Sequence, residues 1–203
     1  MKFILFVEGH TEKKALADFL KRWLDPRLPQ RVGIKVVRFE GWQNYVDEIA
    51  QKVEFNLSGK AGADVIGGVG LLDLYGPTIY PSGVQTVDQR YAWAKQNIEK
   101  QVSNARFTQH FAVHETEAWL LSDAAIFPAE VRSALPKREP ETVDFDEPPA
   151  KLLERVYENR LGRRYRKVID GSNLFFDLTP DTAYERCPRL KALLDEMLQL
   201  ATE

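Results

Sequence analysis

Acidic residues follow three short apolar runs in the first part of the chain, and this pattern limits the folds open to the chain more than any other feature. The runs and the acids after them are residues 3–7 before Glu8, residues 65–72 before Asp73, and residues 111–113 before Glu115 and Glu117. Short, continuous apolar runs are typical of parallel strands covered on both faces. Because the carboxyl ends of parallel strands meet at one edge of a sheet, where open α/β folds bind ligands, the runs predict an acidic site at that edge.

Strand and helix patterns alternate over roughly the first 115 residues. The predicted strands lie at residues 3–7, 34–39, 65–74 and 107–113, with helical spacing of apolar residues between them. Strands that alternate with helices favour a parallel sheet with right-handed crossovers. The predicted fold class is therefore α/β with a central, mainly parallel four-stranded sheet.

The rest of the chain has a different pattern. Residues 136–149, rich in proline and acidic residues, predict a surface loop, and residues 150–159 and 188–200 predict helices. We therefore expect an α/β core at residues 1–125 and, at residues 126–203, a helical C-terminal extension that packs on the core and is not an independent domain.

The overall charge gives no long-range attraction for a polyanion. The chain carries 28 basic and 30 acidic residues, for a formal net charge of −2. Any nucleic acid must therefore be held locally. The densest basic stretch contains Arg163, Arg164 and Lys167, which are candidates to neutralise phosphates. His10, within the predicted turn at residues 8–11, is a further candidate for a phosphate contact.

Cysteine use and hydropathy bear on location. Cys187 is the single cysteine, so it cannot form an internal disulfide, which is compatible with a reducing compartment. The first apolar run has only five residues, and no run approaches the ~20 apolar residues needed to span a bilayer. The sequence predicts a cytoplasmic protein without a membrane span.

The acidic residues suggest a divalent metal. Asp73 ends an apolar strand, and a buried charge there needs a cation or water. Hard oxygen ligands without histidine or cysteine clusters favour Mg²⁺ or Mn²⁺ over zinc. Glu115 and Glu117 share a face only in extended backbone and diverge on a helix, so Glu117 is the favoured ligand and Glu115 is either a second ligand or the partner of a basic residue.

Four segments together resemble the DUF4276 family of uncharacterised bacterial proteins. They are residues 6–12 (FVEGHTE), residues 71–76 (LLDLYG), residues 115–121 (ETEAWLL) and residues 187–190 (CPRL). A glutamate after the first strand and an aspartate after the third also resemble the Toprim fold of topoisomerases, DnaG-type primases and overcoming-lysogenization-defect nucleases. The resemblance implies a Toprim-like three-layer sandwich.

The same resemblance implies a function. Glu8 would act as a general acid or base or as a metal ligand, and Asp73 would hold magnesium. The chain departs from the Toprim pattern at Tyr75, where a second aspartate is usual, so Glu115 or Glu117 would have to substitute. The expected protein is a nuclease that acts on nucleic acid with Mg²⁺ or Mn²⁺. The resemblance also implies a setting in defence against mobile DNA beside a separately encoded ATPase, and this chain carries no P-loop of its own.

Two other functions stay open from the sequence. The first is a catalytically degenerate Toprim-like module that binds nucleic acid, a nucleotide or a partner ATPase, with Tyr75 marking the lost carboxylate. The second is a phosphohydrolase that acts on small phosphorylated molecules.

Overall fold

The protein was analysed as a computed structural model, which describes residues 1–9, 15–142 and 147–203. His10, one of the candidate phosphate contacts, lies outside the described residues. So does the middle of the acidic stretch in the predicted surface loop, residues 143–146.

Four parallel strands form the central sheet. They are β1 (Lys2–Val7), β2 (Gly33–Arg38), β3 (Val65–Asp73) and β4 (Phe107–Ala112), in the spatial order β2-β1-β3-β4. Val7 pairs with Arg38 on one side and with Leu71 on the other, and Asp73 pairs with Ala112. All four strands therefore end at the same edge of the sheet.

Helices cover both faces of this sheet. The helices are α1 (Ala17–Leu24), α2 (Trp42–Leu57), α3 (Val87–Val102), α4 (Glu117–Leu120), α5 (Ala129–Arg132), α6 (Pro149–Leu161), α7 (Lys167–Asp177), α8 (Pro180–Arg186) and α9 (Pro188–Thr202). Helices α2 and α3 share a core with one face, while α1 and α4 to α9 share a core with the other. The described residues thus form three layers, helix, sheet and helix.

The apolar run of β1 illustrates why the strands show no alternation. Phe3, Leu5 and Val7 pack on the side of α1, whereas Ile4 and Phe6 pack on the side of α2 and α3. Successive side chains of a strand point to opposite faces, so a strand covered on both faces must be apolar throughout.

A glycine in β3 permits a close contact between the sheet and α2. Tyr45 donates a buried hydrogen bond of 2.7 Å from its hydroxyl to Oε1 of Gln109. A Cβ atom built on Gly70 would lie only 2.2 Å from that hydroxyl and 2.3 Å from that oxygen. The backbone of β3 can approach this pair only because Gly70 has no side chain.

The predicted fold class is confirmed as α/β, with three layers, a central four-stranded sheet and a helical C-terminal part. The sheet is parallel throughout. The division of the chain at residue 125 stays a prediction, although the helices beyond it share one core with α1 and the sheet. Within the described ranges, no helix has both the length and the apolar character needed to cross a membrane.

The C-terminal part differs from the prediction in its details. Helices α7 and α8 were not predicted. The pattern of α7 is obscured because this helix begins within the basic stretch and contains Gly171, a residue with low helix propensity. The predicted surface loop is also partly buried. Glu141 accepts hydrogen bonds from the backbone N–H groups of Arg189 and Leu190 at the start of α9, and burial raises the pKa of its carboxyl.

Candidate metal and phosphate site

The strand ends bring the predicted acidic segments to one edge of the sheet. Glu8 directly follows β1 and, by the pairing of Val7 with Leu71, leaves the sheet level with Leu72. Asp73 is the last residue of β3, the neighbouring strand. The segment with Glu115 and Glu117 follows β4, which is the neighbour of β3 on its other side.

One lysine ammonium joins two of the predicted acidic residues. Nζ of Lys167 lies 3.0 Å from Oε2 of Glu117 and 3.8 Å from Oδ2 of Asp73. The three residues come from the end of β3, the start of α4 and the start of α7. Segments far apart in the sequence therefore place two carboxylates and one ammonium at a single point of the sheet edge.

A left-handed residue after β4 returns the chain toward Asp73. His114 is buried and has φ of 63°, a conformation that non-glycine residues adopt rarely and mostly at turns and functional sites. Beyond this turn the backbone N–H of Thr116 donates to Oδ1 of Asp73 at 3.1 Å. The turn thus orients Asp73 and delivers Glu117, the next residue, to the same place.

Glu117 is the most deeply buried of the acidic candidates. Its side chain is 1% exposed, whereas that of Asp73 is 19% exposed and that of Lys167 is 36% exposed. Moving a carboxylate out of water costs several kcal/mol unless a cation or hydrogen-bond donors compensate. The ammonium of Lys167 supplies such compensation. Because the Lys167 side chain is partly exposed, its ammonium also remains accessible to solvent.

Two buried hydroxyl groups lie beside the same carboxylates. Within the described residues, Oγ1 of Thr116 and Oη of Tyr165 have no hydrogen-bond partner. Burial raises the pKa of Tyr165, and the negative charge of Glu117 raises it further, which keeps the hydroxyl protonated. The sequence did not single out either residue, although Thr116 stands between two acidic candidates and Tyr165 interrupts the basic stretch.

These donors fit a hard divalent ion. Mg²⁺ is usually held by one or two carboxylates, with water and substrate phosphates completing its shell. Asp73 and Glu117 would supply the two carboxylates, and the hydroxyls of Thr116 and Tyr165 would add polar groups beside them. In residues 1–9, 15–142 and 147–203, no group of three or more histidine, cysteine or acidic side chains has the arrangement of a metal site.

Glu115 is engaged at a different place from Glu117. Its Oε2 accepts a hydrogen bond of 2.8 Å from the backbone N–H of Ala150, in the first turn of α6. A carboxylate there satisfies a free amide and interacts favourably with the helix dipole. The two glutamates therefore diverge, as expected where α4 begins, and Glu115 ties the strand end to the C-terminal helices.

The basic candidates have different surroundings. Arg163 is exposed, and its Nη1 lies 2.9 Å from Oδ2 of Asp170. Its guanidinium carbon lies 5.0 Å from the ring centre of Tyr157. Burial of Asp170 opposes its ionisation, but hydrogen bonds from Arg163 and Arg166 outweigh burial and lower its pKa. Arg164 is exposed beside Arg163, in the connection that leads to Lys167.

Comparisons with known proteins bear on the family and the fold. A family model described as "Domain of unknown function (DUF4276)" matches residues 7–198, which confirms the resemblance seen in the motifs. Among solved structures, the chain is similar to the C-terminal region of the Burkholderia pseudomallei OLD protein, with a TM-score of 0.46 and 18% identity over 98% of each chain. No curated protein matched the chain.

Proposed function

This chain belongs to the DUF4276 family, and we propose that it is a nuclease that hydrolyses phosphodiester bonds in nucleic acid with Mg²⁺ or Mn²⁺. The observation that carries the proposal is the convergence of Asp73 and Glu117 on the ammonium of Lys167. It lies at the carboxyl edge of a parallel sheet, where open α/β proteins bind their ligands.

The proposed roles follow from the contacts. Asp73 and Glu117 hold the ion, and Glu8, which leaves the neighbouring strand at the same edge, is the proposed third acidic group. When bound, the ion supplies positive charge to the phosphoryl oxygens and lowers the pKa of an attacking water. Lys167 then exchanges its carboxylate contacts for the substrate phosphate, because the ion takes over the compensation of the buried charge.

The exposed part of the basic stretch extends the site for a polyanion. Arg163 and Arg164 lie on the surface between α6 and α7, shortly before Lys167. Arginine at such positions can neutralise phosphates on either side of the cleaved bond, with an affinity that falls as salt rises. His10 is a proposed phosphate contact on sequence grounds, and the proposed setting is defence against mobile DNA beside a separately encoded ATPase.

The decisive test compares two aspartates at opposite ends of β3. Asp73→Asn and Glu117→Gln should reduce cleavage of single- and double-stranded DNA and RNA by at least about 10²-fold, the loss typical when charge stabilisation is removed. Asp64→Asn is the matched control, because Asp64 lies just before β3 and pairs with Lys2 at the opposite edge. The proposal fails if wild-type protein cleaves none of these substrates with either metal, or if Asp73→Asn keeps full activity.

A second function has an observation of its own in its favour. The ammonium of Lys167 already compensates Asp73 and Glu117, and Tyr75 stands where a second aspartate would be expected. Both features also suit an inactive module that binds nucleic acid, a nucleotide or a partner ATPase. Calorimetric titration with Mn²⁺ separates the two: binding that Asp73→Asn abolishes favours the nuclease, and no binding at millimolar Mn²⁺ favours the module.

A further inference from the structure

A cleft adjoins the proposed site in the loop between Asp73 and α3. Its volume is about 320 Å³, within the range of small-ligand sites. Its lining includes Tyr75, Thr78, Tyr80, Ser82, Gln85 and Arg90. Aromatic, hydroxyl, amide and guanidinium groups thus surround a space of the right size for one flat heterocycle.

Local hydrogen bonds hold this loop in place. The hydroxyl of Tyr80 donates a hydrogen bond of 3.0 Å to the carbonyl oxygen of Leu74. The backbone N–H of Tyr75 donates one of 3.1 Å to the carbonyl oxygen of His114. At the end of the loop, Thr86 and Gln89 form a capping box that starts α3. The loop that forms the cleft is therefore anchored to β3 at one end and to α3 at the other. Because the loop is already held in place, ligand binding loses little conformational entropy there.

The two tyrosines that line the cleft differ in how much of each ring is covered. Tyr75 lines the cleft and is 39% exposed, so part of its side chain is accessible to a ligand. Tyr80 is packed edge-on against Trp93, with the guanidinium carbon of Arg90 lying 5.1 Å from its ring centre. Burial raises the pKa of Tyr80 to about 12, so its hydroxyl remains a donor.

The cleft is also close to the acidic site along the chain. Tyr75 lies two residues after Asp73, in the bend that follows β3, and two residues of chain span at most about 7 Å. That length is comparable with the separation of the phosphate and the base within one nucleotide. A phosphate held near Asp73 would therefore place its base near Tyr75.

We propose that this cleft binds an unpaired nucleobase, stacked on the ring of Tyr75, and that the substrate is single-stranded nucleic acid or a duplex with an unpaired nucleotide at the cleaved position. The inference rests on the proposed function, since it takes the phosphate at Asp73 as the starting point. Bases within an intact duplex have both faces stacked, so they cannot enter. Stacking of this kind is tolerant of base identity, because every base has a π-face.

Fluorescence anisotropy with two labelled single strands tests this proposal. One strand is oligothymidylate and the other an abasic strand of equal length, with calcium in place of magnesium to keep them intact. Wild-type protein should bind oligothymidylate roughly 5- to 100-fold more tightly, the range expected for one stacked base. Tyr75→Ala and Tyr75→Leu should lose this preference, and Tyr75→Phe should keep it. The control is Phe55→Ala, which removes a 74% exposed aromatic from α2 and should keep the preference.

Equal binding of the two strands by wild-type protein, or a preference that survives in folded Tyr75→Ala and Tyr75→Leu, would overturn the cleft proposal. A cleavage assay on the same preparations separates this outcome from failure of the proposed function. Cleavage without any base preference removes the cleft proposal and leaves the nuclease. A Tyr75-dependent preference without cleavage removes the nuclease and leaves the cleft as a base-binding site.

Discussion

The ammonium of Lys167 lies 3.0 Å from Oε2 of Glu117, a side chain that is 1% exposed. The pair joins the first residue of α7 to the first residue of α4, so it fastens the C-terminal helices to the edge of the sheet. The two side chains differ in burial, because Glu117 is almost fully buried and Lys167 is 36% exposed. Removal of the lysine should therefore cost more than removal of an ordinary surface charge.

Lys167→Met should destabilise the fold by about 2 kcal/mol, less than the roughly 3–5 kcal/mol typical of breaking a fully buried pair, since Lys167 is 36% exposed. Urea denaturation measures the change. The double variant Lys167→Met/Glu117→Gln should recover most of the loss, because the most deeply buried carboxylate is then replaced by a neutral amide. Lys151→Met, at an exposed position of α6, is the control and should leave stability unchanged. A double variant that is less stable than Lys167→Met would contradict this account.

Glu115 should act as a helix cap. Glu115→Ala removes the acceptor for the N–H of Ala150 and should destabilise the protein by about 1 kcal/mol, while Mn²⁺ binding measured by calorimetry stays close to wild type. Glu154→Ala, at an exposed position in the same helix, should change neither quantity. Loss of Mn²⁺ binding in Glu115→Ala would instead assign this carboxylate to the ion.

Stability should fall in acid through Glu196. The hydrogen bond from His110, 2.8 Å away, lowers the pKa of Glu196 from 4.5 to about 2. A carboxyl whose pKa is lower in the folded than in the unfolded state stabilises the fold at any pH above its unfolded-state pKa. That contribution is lost as the pH falls from 4.5 toward 2. We expect a contribution of only about 1 kcal/mol, because the side chain is 38% exposed and solvent screens it.

Urea unfolding at a series of pH values between 5.5 and 3 checks this expectation. Glu196→Gln should be less stable than wild type at the upper end, and the difference should shrink toward the lower end. Glu158→Gln, at an exposed position of α6, should follow the wild-type pH profile. A constant difference between Glu196→Gln and wild type would rule out titration of Glu196 as the cause.

Gly70→Ala should destabilise the sheet strongly. The added methyl group would lie 2.2 Å from the hydroxyl of Tyr45 and 2.3 Å from Oε1 of Gln109, so this buried hydrogen bond must break or β3 must shift. The expected cost is about 3 kcal/mol, at the upper end of overpacking, measured by thermal or urea unfolding. Gly83→Ala, where nothing lies within 4 Å, should be neutral, and equal stability of the two variants would refute the packing argument.

The parallel sheet was predictable because its signals are local. A strand covered on both faces needs an uninterrupted apolar run, and β1 and β3 have one. Helices α7 and α8 were missed, since α7 contains Gly171 and draws its stability from packing of Leu174 and Phe175 against the core. Glu141 was assigned to a surface loop because nothing nearby in the sequence indicates that it caps α9, whose start lies far along the chain.

The sequence by itself determined which acidic residues reach the edge of the sheet, because an acid placed directly after a parallel strand must leave at that strand's carboxyl end. It also determined the family, through motifs that extend along most of the chain. Only the tertiary structure decided the partners: Lys167 for Asp73 and Glu117, and the start of α6 for Glu115. The reason is physical, since these contacts form between segments far apart in sequence, and their geometry depends on how the C-terminal helices pack on the sheet.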